Sequence, residues 1–132
     1  VVLYDLGTSL LAADSLDAAI EALERASFTV APALRRDARY NLGLAYLRRG
    51  LRGEGEARSN ALQSARRAFR TVLLERPGDA DAQWNYELAM RTPQGGGGGG
   101  RGNTPPPPQA QEPPPPGRMN RQQAEALLDA SA

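Results

Sequence analysis

Apolar side chains recur every three or four positions through most of the first 92 residues, which is the spacing of one face of an α-helix. Leu3, Leu6 and Leu10 carry this pattern in the first stretch. Breaks rich in Gly, Pro, Asp and Ser separate it from four further stretches of the same kind. The sequence therefore predicts an all-α fold without strands, whose five helices cover 1–13, 15–26, 38–49, 56–76 and 82–91.

The boundaries of these helices rest on residues that commonly begin or end a helix. A connection that contains a proline is predicted over 28–34, and Asp37 is expected to cap the third helix. Three glycines predict a loop over 50–60, whose last residues overlap the start of the fourth helix. Asp79 or Asp81 is expected to begin the fifth helix.

Residues 93–118 interrupt the helical pattern with nine Pro and eight Gly. Such a composition offers too few apolar side chains to offset the entropy lost on ordering, so a disordered linker is predicted. The chain divides accordingly into a helical repeat domain at 1–92, this linker, and a short amphipathic helix at 119–132. The last segment is interpreted either as a peptide that docks on a partner or on the helical domain, or as a frayed terminus.

The chain contains no Cys, no His and no Lys, since all 16 basic residues are Arg. Thiolate nucleophiles, zinc–thiolate sites, Schiff bases, a P-loop lysine and the usual general base are thereby excluded. Helix capping and solubility explain the remaining pairs of carboxylates. The sequence therefore predicts a protein that is not an enzyme, with no catalytic residue, no metal site, no cofactor and no small-molecule substrate.

The net charge of +1 provides no overall field that would attract nucleic acid or anionic lipid. No apolar run is long enough to span a bilayer, so membrane contact is expected only through segments outside this sequence or through partners. The chain starts at Val1, within a helical pattern, and we interpret it as a piece of a longer protein.

Three of the predicted helices resemble one another. Segments that begin at Tyr4, Tyr40 and Trp84 align over eight positions without a gap. The intervening helices also align, with Leu23 and Phe69 in the same column. Self-similarity of this kind is typical of helical repeat proteins, in which each unit packs only on its neighbours.

The repeat resembles the tetratricopeptide repeat (TPR), whose signature is Leu-Gly-x-x-Tyr in a first helix, Ala-x-x-x-Phe in a second helix, and then Pro. The matching residues are Leu42, Gly43, Tyr46, Ala65, Phe69 and Pro77. The resemblance implies a TPR-like α-solenoid of two helical hairpins plus a capping helix, in which Glu87 replaces the glycine. It also implies an insertion between the helices of the second hairpin, in the predicted loop over 50–60.

A narrower resemblance rests on the order of segments near the end of the chain. The helix that contains Asn85-Tyr86-Glu87-Leu88 is followed by the Gly/Pro-rich linker and then by the short segment at 119–130. This order resembles the TPR proteins of bacterial aerotolerance (Bat-type) operons. The resemblance implies a bacterial, periplasmic or membrane-associated complex, with a von Willebrand A-type protein as the partner.

In a TPR array the first helix of each hairpin lines a groove that binds a partner protein or peptide. The resemblance implies a partner-binding groove lined by Tyr4, Asp5, Thr8, Tyr40, Asn41, Leu44, Arg48, Trp84, Asn85 and Leu88. Asn41 and Asn85 share a column at which an amide can both donate to and accept from a ligand backbone. The two amides are equally well interpreted as bridges between adjacent helices, and Tyr40 as part of the core.

A basic helix indicates an alternative class of function. Arg66, Arg67 and Arg70 lie with two other arginines on the predicted helix 56–76, and Arg101-Gly102 follows the run of glycines. Together they are consistent with a protein that associates with nucleic acid. The competing interpretation is a solvated helix face and a plain linker, and it is favoured by the lack of aromatic residues among the glycines.

Overall fold

The computed structural model describes residues 1–93, and these form five α-helices and no strand. The helices are α1 (Val2–Ala12), α2 (Leu16–Ala26), α3 (Pro32–Arg52), α4 (Gly55–Glu75) and α5 (Ala80–Arg91). The all-helical prediction is therefore confirmed for this part of the chain. The predicted linker from residue 94 onward and the predicted helix at 119–132 lie outside the described residues.

The predicted connection over 28–34 is wrong in its second half, because α3 already begins at Pro32. Proline suits the first turn of a helix, since its fixed φ is helical and an N–H group would have no intrahelical acceptor there. Asp37 consequently lies inside α3, where it is buried, and it does not cap the helix.

The predicted loop over 50–60 is too long, because α3 continues to Arg52 and α4 begins at Gly55, which leaves only Gly53 and Glu54 between the two helices. Gly50 remains helical and lies against α4, where a Cβ atom on it would meet Leu62 Cδ2 at 2.8 Å. At this position glycine permits a close approach of two helices and does not end one of them. The α3–α4 pair is therefore longer than the α1–α2 pair, with 21 residues in each helix against 11.

Each helix packs mainly on its neighbours in sequence, α1 on α2, α2 on α3, α3 on α4 and α4 on α5. Smaller contacts join α1 to α3 and α3 to α5, so α3 touches all four other helices. The large apolar side chains that are fully buried between them are Leu11, Leu23, Tyr40, Leu47, Leu62, Phe69 and Val72. Because burial of one such side chain contributes about 1.5–3 kcal/mol, the apolar stripes of the helices dominate the stability of this arrangement.

The fifth helix begins with a side-chain cap. Asp79 Oδ1 accepts a hydrogen bond of 3.0 Å from the backbone N–H of Ala82. Replacing Asp79 with Ala should lower the free energy of unfolding by about 1 kcal/mol, because that N–H loses its acceptor. Asp79→Ser should retain most of the stability, since a serine Oγ can cap the same N–H. Urea denaturation followed by circular dichroism measures both variants, and equal losses would contradict the capping role.

Candidate interaction surfaces

A glycine on the first helix of each hairpin allows the second helix to approach closely. A Cβ atom on Gly7 of α1 would lie 2.6 Å from Leu23 Cγ of α2. A Cβ atom on Gly43 of α3 would lie 2.7 Å from Phe69 Cε1 of α4. Both distances are well inside the optimal separation of two carbon atoms, so neither position has room for a side chain. The α1–α2 and α3–α4 pairs thus make the same contact at aligned positions of the sequence.

Amide side chains join α1, α3 and α5, which we call the first helices, to one another. Asn41 Nδ2 on α3 donates to Thr8 Oγ1 on α1 at 3.1 Å and lies 3.5 Å from the hydroxyl oxygen of Tyr4. Asn85 Nδ2 on α5 donates to the hydroxyl oxygen of Tyr40 on α3 at 3.0 Å. Each amide therefore reaches the aligned tyrosine of the preceding first helix, and the α1–α3 contact recurs between α3 and α5.

Helix packing encloses most of the side chains that were predicted to line a groove. The buried ones are Tyr4, Tyr40, Asn41, Leu44, Arg48, Trp84 and Asn85. Thr8 and Leu88 are partly exposed, and Asp5 is exposed. In the alignment of the first helices, Asp5 stands in the same column as Asn41 and Asn85. Both asparagines bond to the preceding first helix, and within the described part of the chain no first helix precedes α1. The surface that the ten residues leave accessible is therefore concentrated at Asp5, Thr8 and Leu88.

The amide oxygens of Asn41 and Asn85 are enclosed as well. Both atoms are buried, and neither accepts a hydrogen bond from any residue between 1 and 93. In this arrangement neither oxygen is accessible to a peptide backbone. The geometry therefore favours the bridging interpretation of the two asparagines over direct contact with a ligand.

Two arginines of α3 hold the turn between α1 and α2. Asp14, in this turn, has a left-handed φ of 68°. Its Oδ1 lies 3.1 Å from Arg48 Nε and 2.6 Å from Arg52 Nη1. Arg48 Nη1 also donates to the backbone carbonyl of Leu11 at 3.2 Å. Arg48, predicted as a groove residue, is thus placed in an interior contact between α1 and α3.

This cluster changes the acidity of its members. The hydrogen bond from Arg52 lowers the pKa of Asp14 below its ordinary value of 3.8, desolvation opposes this effect, and the charges of both arginines add to the lowering. Burial lowers the pKa of Arg48, because desolvation disfavours the charged guanidinium, while the Asp14 carboxylate acts in the opposite direction. The carboxylate is therefore ionised at neutral pH, where it compensates the buried charge of Arg48.

A cavity of about 280 Å³ opens between α2, α3 and α4, and none of the ten predicted groove residues lines it. At its edge the Tyr46 hydroxyl donates a hydrogen bond to Glu24 Oε1 on α2. Desolvation, together with this bond and the charge of Glu24, raises the pKa of Tyr46 to about 12, so the phenol keeps its proton at neutral pH. Arg39 also lines the cavity, and its Nη1 pairs with Glu75 Oε1 at 3.0 Å, which ties α3 to α4.

Of the arginines that indicated nucleic acid, Arg66, Arg67 and Arg70 lie on α4, where Arg67 and Arg70 are exposed and Arg66 is partly buried. Arg101 lies outside the described residues. Residues 1–93 contain no group of three or more acidic side chains that could hold a metal ion. None of the five helices combines the length and the apolar composition that a membrane crossing requires.

Comparison of the chain with protein-family models, with curated proteins and with solved structures gives no match.

Proposed function

We propose that the chain is a non-enzymatic scaffold for protein–protein interaction, built as a TPR-like α-solenoid of two helical hairpins plus a capping helix. The observation that carries the proposal is the recurrence of two contacts at aligned positions. Within each hairpin a glycine lies against a large apolar side chain, and between successive first helices an amide bonds to a tyrosine hydroxyl or the threonine beside it. On α5 the glycine column holds Glu87, which is exposed, as suits a capping helix.

Helical repeats of this kind act through the surfaces that they present. Each unit packs only on its neighbours, so a stack of units is extended and leaves continuous faces open to partners. We propose that a partner protein or peptide binds the first-helix face, where Asp5, Thr8 and Leu88 remain accessible. The resemblance to Bat-type proteins extends the proposal to a bacterial envelope-associated complex that includes a von Willebrand A-type protein.

Arginine at both Asp5 and Leu88 should weaken capture of the partner without unfolding the chain. Asp5 is exposed, whereas Leu88 is partly buried against the core. The free energy of unfolding should therefore fall by about 1–2 kcal/mol, mostly from Leu88, and the arginine stem should keep the chain folded by covering part of the same apolar surface. Affinity capture on the whole chain, quantified by mass spectrometry, should recover about tenfold less partner than the wild type does. Unchanged recovery would argue against the first-helix face as the binding surface.

Arg70→Glu is the matched control, because Arg70 is exposed on α4 and lies outside the first helices. It should leave capture of the protein partner unchanged. The same variant tests the alternative, in which α4 and the Arg-Gly linker associate with nucleic acid. Retention of the chain on single-stranded RNA that falls with added salt and falls again in Arg70→Glu would support that alternative, whereas salt-independent capture of one protein supports the scaffold.

A further inference from the structure

One side of α1 is exposed, although the aligned sides of α3 and α5 are buried. Helix positions that follow one another at intervals of three or four residues lie on one face. Four such columns are buried on both later helices, as Ala38, Asn41, Ala45 and Arg48 on α3 and as Ala82, Asn85, Ala89 and Thr92 on α5. The same columns on α1 hold Val2, Asp5, Ser9 and Ala12, which are all exposed and which we call the open stripe.

The structure shows twice what covers this side of a first helix. On α3 the stripe faces the preceding hairpin, since Asn41 bonds to Thr8 of α1 and α2 packs along α3. On α5 it again faces the preceding hairpin, since Asn85 bonds to the hydroxyl group of Tyr40 on α3 and α4 packs along α5. A complete helical hairpin is therefore the occupant for which this side of the repeat is shaped.

A second copy of the chain cannot supply such a hairpin from residues 1–93. In each copy the α1–α2 pair is already covered by α3, and the α3–α4 pair is already covered by α5. In the part of the chain that the structure describes, no further helix follows α5 to complete a third hairpin. The occupant of the open stripe therefore has to come from a different protein.

The side chains of the open stripe suit a close contact between helices. Val2 is 79 % exposed, and Leu6, which lies beside the stripe, is 48 % exposed, so the two offer apolar surface that an occupant would bury. Ser9 and Ala12 are small and allow another helix to approach closely. Leu42, which is aligned with Leu6, lies next to Glu24 of α2 in the lining of the cavity, so Leu6 is placed to contact the second helix of the occupant.

Asp5 sets a chemical requirement for the occupant. The aligned asparagines donate from their Nδ2 atoms, whereas an ionised carboxylate can only accept. The group opposite Asp5 therefore has to be a donor, and a tyrosine hydroxyl at the position that corresponds to Tyr40 meets this requirement. The Tyr46 hydroxyl already donates to the Glu24 carboxylate in this way within the chain.

We propose that the open stripe of α1 binds the last helical hairpin of a partner protein built from the same type of repeat, with a tyrosine hydroxyl of that hairpin donating to Asp5. The proposal rests on the repeat arrangement proposed above and names a partner for the end of the stack. It shares Asp5 with the first-helix face, but Thr8 and Leu88 lie outside the open stripe. Substitution of Leu88 therefore separates the two surfaces.

A tandem protein, in which residues 1–80 are placed directly before Val1 of the whole chain, supplies such a hairpin as a defined probe. In the tandem protein Val2 follows the added α3–α4 hairpin in the register that Ala82 has in the chain itself. Because the chain has no Cys, a single Ser9→Cys substitution in the second part reports burial of the open stripe. Its rate of maleimide labelling should be about tenfold lower in the tandem protein than in the single chain.

Arg70→Cys in the second part is the control, because Arg70 is exposed on α4, and it should label at the same rate in both proteins. Leu88→Arg in the second part should leave the protection of Ser9→Cys unchanged, even if it abolishes capture at the first-helix face. Equal labelling of Ser9→Cys in the single chain and in the tandem protein would overturn the proposal.

The requirement for a donor is tested by Tyr40→Phe in the added part. Loss of this hydroxyl should restore labelling of Ser9→Cys about fivefold, because the Asp5 carboxylate is then buried without a donor. With Asp5→Asn in the second part, the same Tyr40→Phe substitution should have a smaller effect, since an amide is less costly to bury than a carboxylate. Equal effects in the two backgrounds would contradict the pairing of Asp5 with a hydroxyl group.

The partner itself is identified by crosslinking from the open stripe. Benzophenone maleimide attached to Leu6→Cys of the single chain, irradiated in an extract of the cells from which the chain comes, should crosslink to a helical segment with the pattern Ala-x-x-x-Leu or Ala-x-x-x-Phe. Mass spectrometry of the crosslinked peptide reads this sequence. Crosslinks only to a second copy of the chain, or crosslinks that Arg70→Cys gives equally, would overturn the proposal.

Discussion

Replacing Gly43 with alanine should lower the free energy of unfolding by about 2 kcal/mol, although alanine is the better helix former. A Cβ atom at this position would lie 2.7 Å from Cε1 and 2.8 Å from Cζ of Phe69. That ring is fully buried and packs edge-to-face against Tyr40 at a centroid distance of 5.8 Å, so it has no free space into which it could move. The overpacking should cost about 3 kcal/mol, and the gain in helix propensity should return about 1 kcal/mol.

Gly78→Ala is the matched control for this prediction. Gly78 precedes α5, a Cβ atom on it would meet nothing within 4 Å, and its φ is not positive. The control variant should therefore stay within about 0.5 kcal/mol of the wild type in the same denaturant titration. If Gly43→Ala were as stable as Gly78→Ala, α3 and α4 could not lie as close together as the structure places them, and the proposed TPR-like arrangement would lose one of its two recurring glycine contacts.

The contact between Gly43 and Phe69 also shows how far the sequence predicts the fold. The helical period and the repeat motif identify both residues, because glycine at this position of the motif allows the two helices of one unit to lie close together. The sequence does not predict where α3 begins and ends, because Pro32 and Gly50 resemble helix breakers when only their neighbours in sequence are considered. Their roles are set by the first turn of a helix and by Leu62 from the facing helix.

The candidate surfaces were harder to predict because they combine residues that are far apart in the chain. Arg39 and Glu75 are separated by 36 positions, and no local spacing indicates that they pair. The environment of Asn41 likewise depends on Thr8, which lies 33 positions earlier. The repeat alignment places the asparagines in one column, but an amide in that column suits a ligand backbone and a neighbouring helix equally well. Only the packing of the first helices in the structure distinguishes an amide that binds a ligand from an amide that bridges two helices.

Replacing Arg48 with alanine should lower the free energy of unfolding by about 3 kcal/mol, through a different mechanism from that at Gly43. The Arg48 side chain is only 5 % exposed, so its truncation leaves a cavity between α1 and α3. The variant also loses the hydrogen bond to the Leu11 carbonyl and the ion pair with Asp14. Asp14 keeps Arg52 as a partner, so the loss should come mainly from packing and not from a stranded carboxylate.

Arg48→Met distinguishes packing from charge, because methionine keeps a long apolar stem and removes the guanidinium. The stem should preserve most of the buried contact, and removal of a buried charge avoids its desolvation cost. This variant should therefore lose only about 1 kcal/mol, measured in the same titrations as Arg48→Ala. Equal losses in the two variants would assign the effect to the ion pair and to the carbonyl contact.

The same cluster should give the protein a component of stability that disappears in acid. The hydrogen bond from Arg52 and the charge of Arg48 hold the pKa of Asp14 down in the folded chain, against desolvation. A carboxyl group whose pKa is lowered by folding stabilises the folded chain at pH values above its ordinary pKa, which is 3.8 for Asp14. This stabilisation is lost as the pH falls through the lowered pKa of the folded state. Asp14→Asn is the test variant, because asparagine tolerates the left-handed φ of this turn and resembles the protonated carboxyl group.

Asp14→Asn should be less stable than the wild type at neutral pH, since the guanidinium of Arg48 stays buried without its carboxylate. Thermal denaturation across the pH range should show the difference narrowing below the ordinary pKa of 3.8, where the wild type itself becomes protonated. In the Arg48→Met background, Asp14→Asn should lower the stability by less than it does in the wild type, because the buried charge of Arg48 is already absent. A difference that persists unchanged into strong acid would mean that α3 does not depend on this carboxylate, and the loss at Arg48 would then be a matter of packing alone.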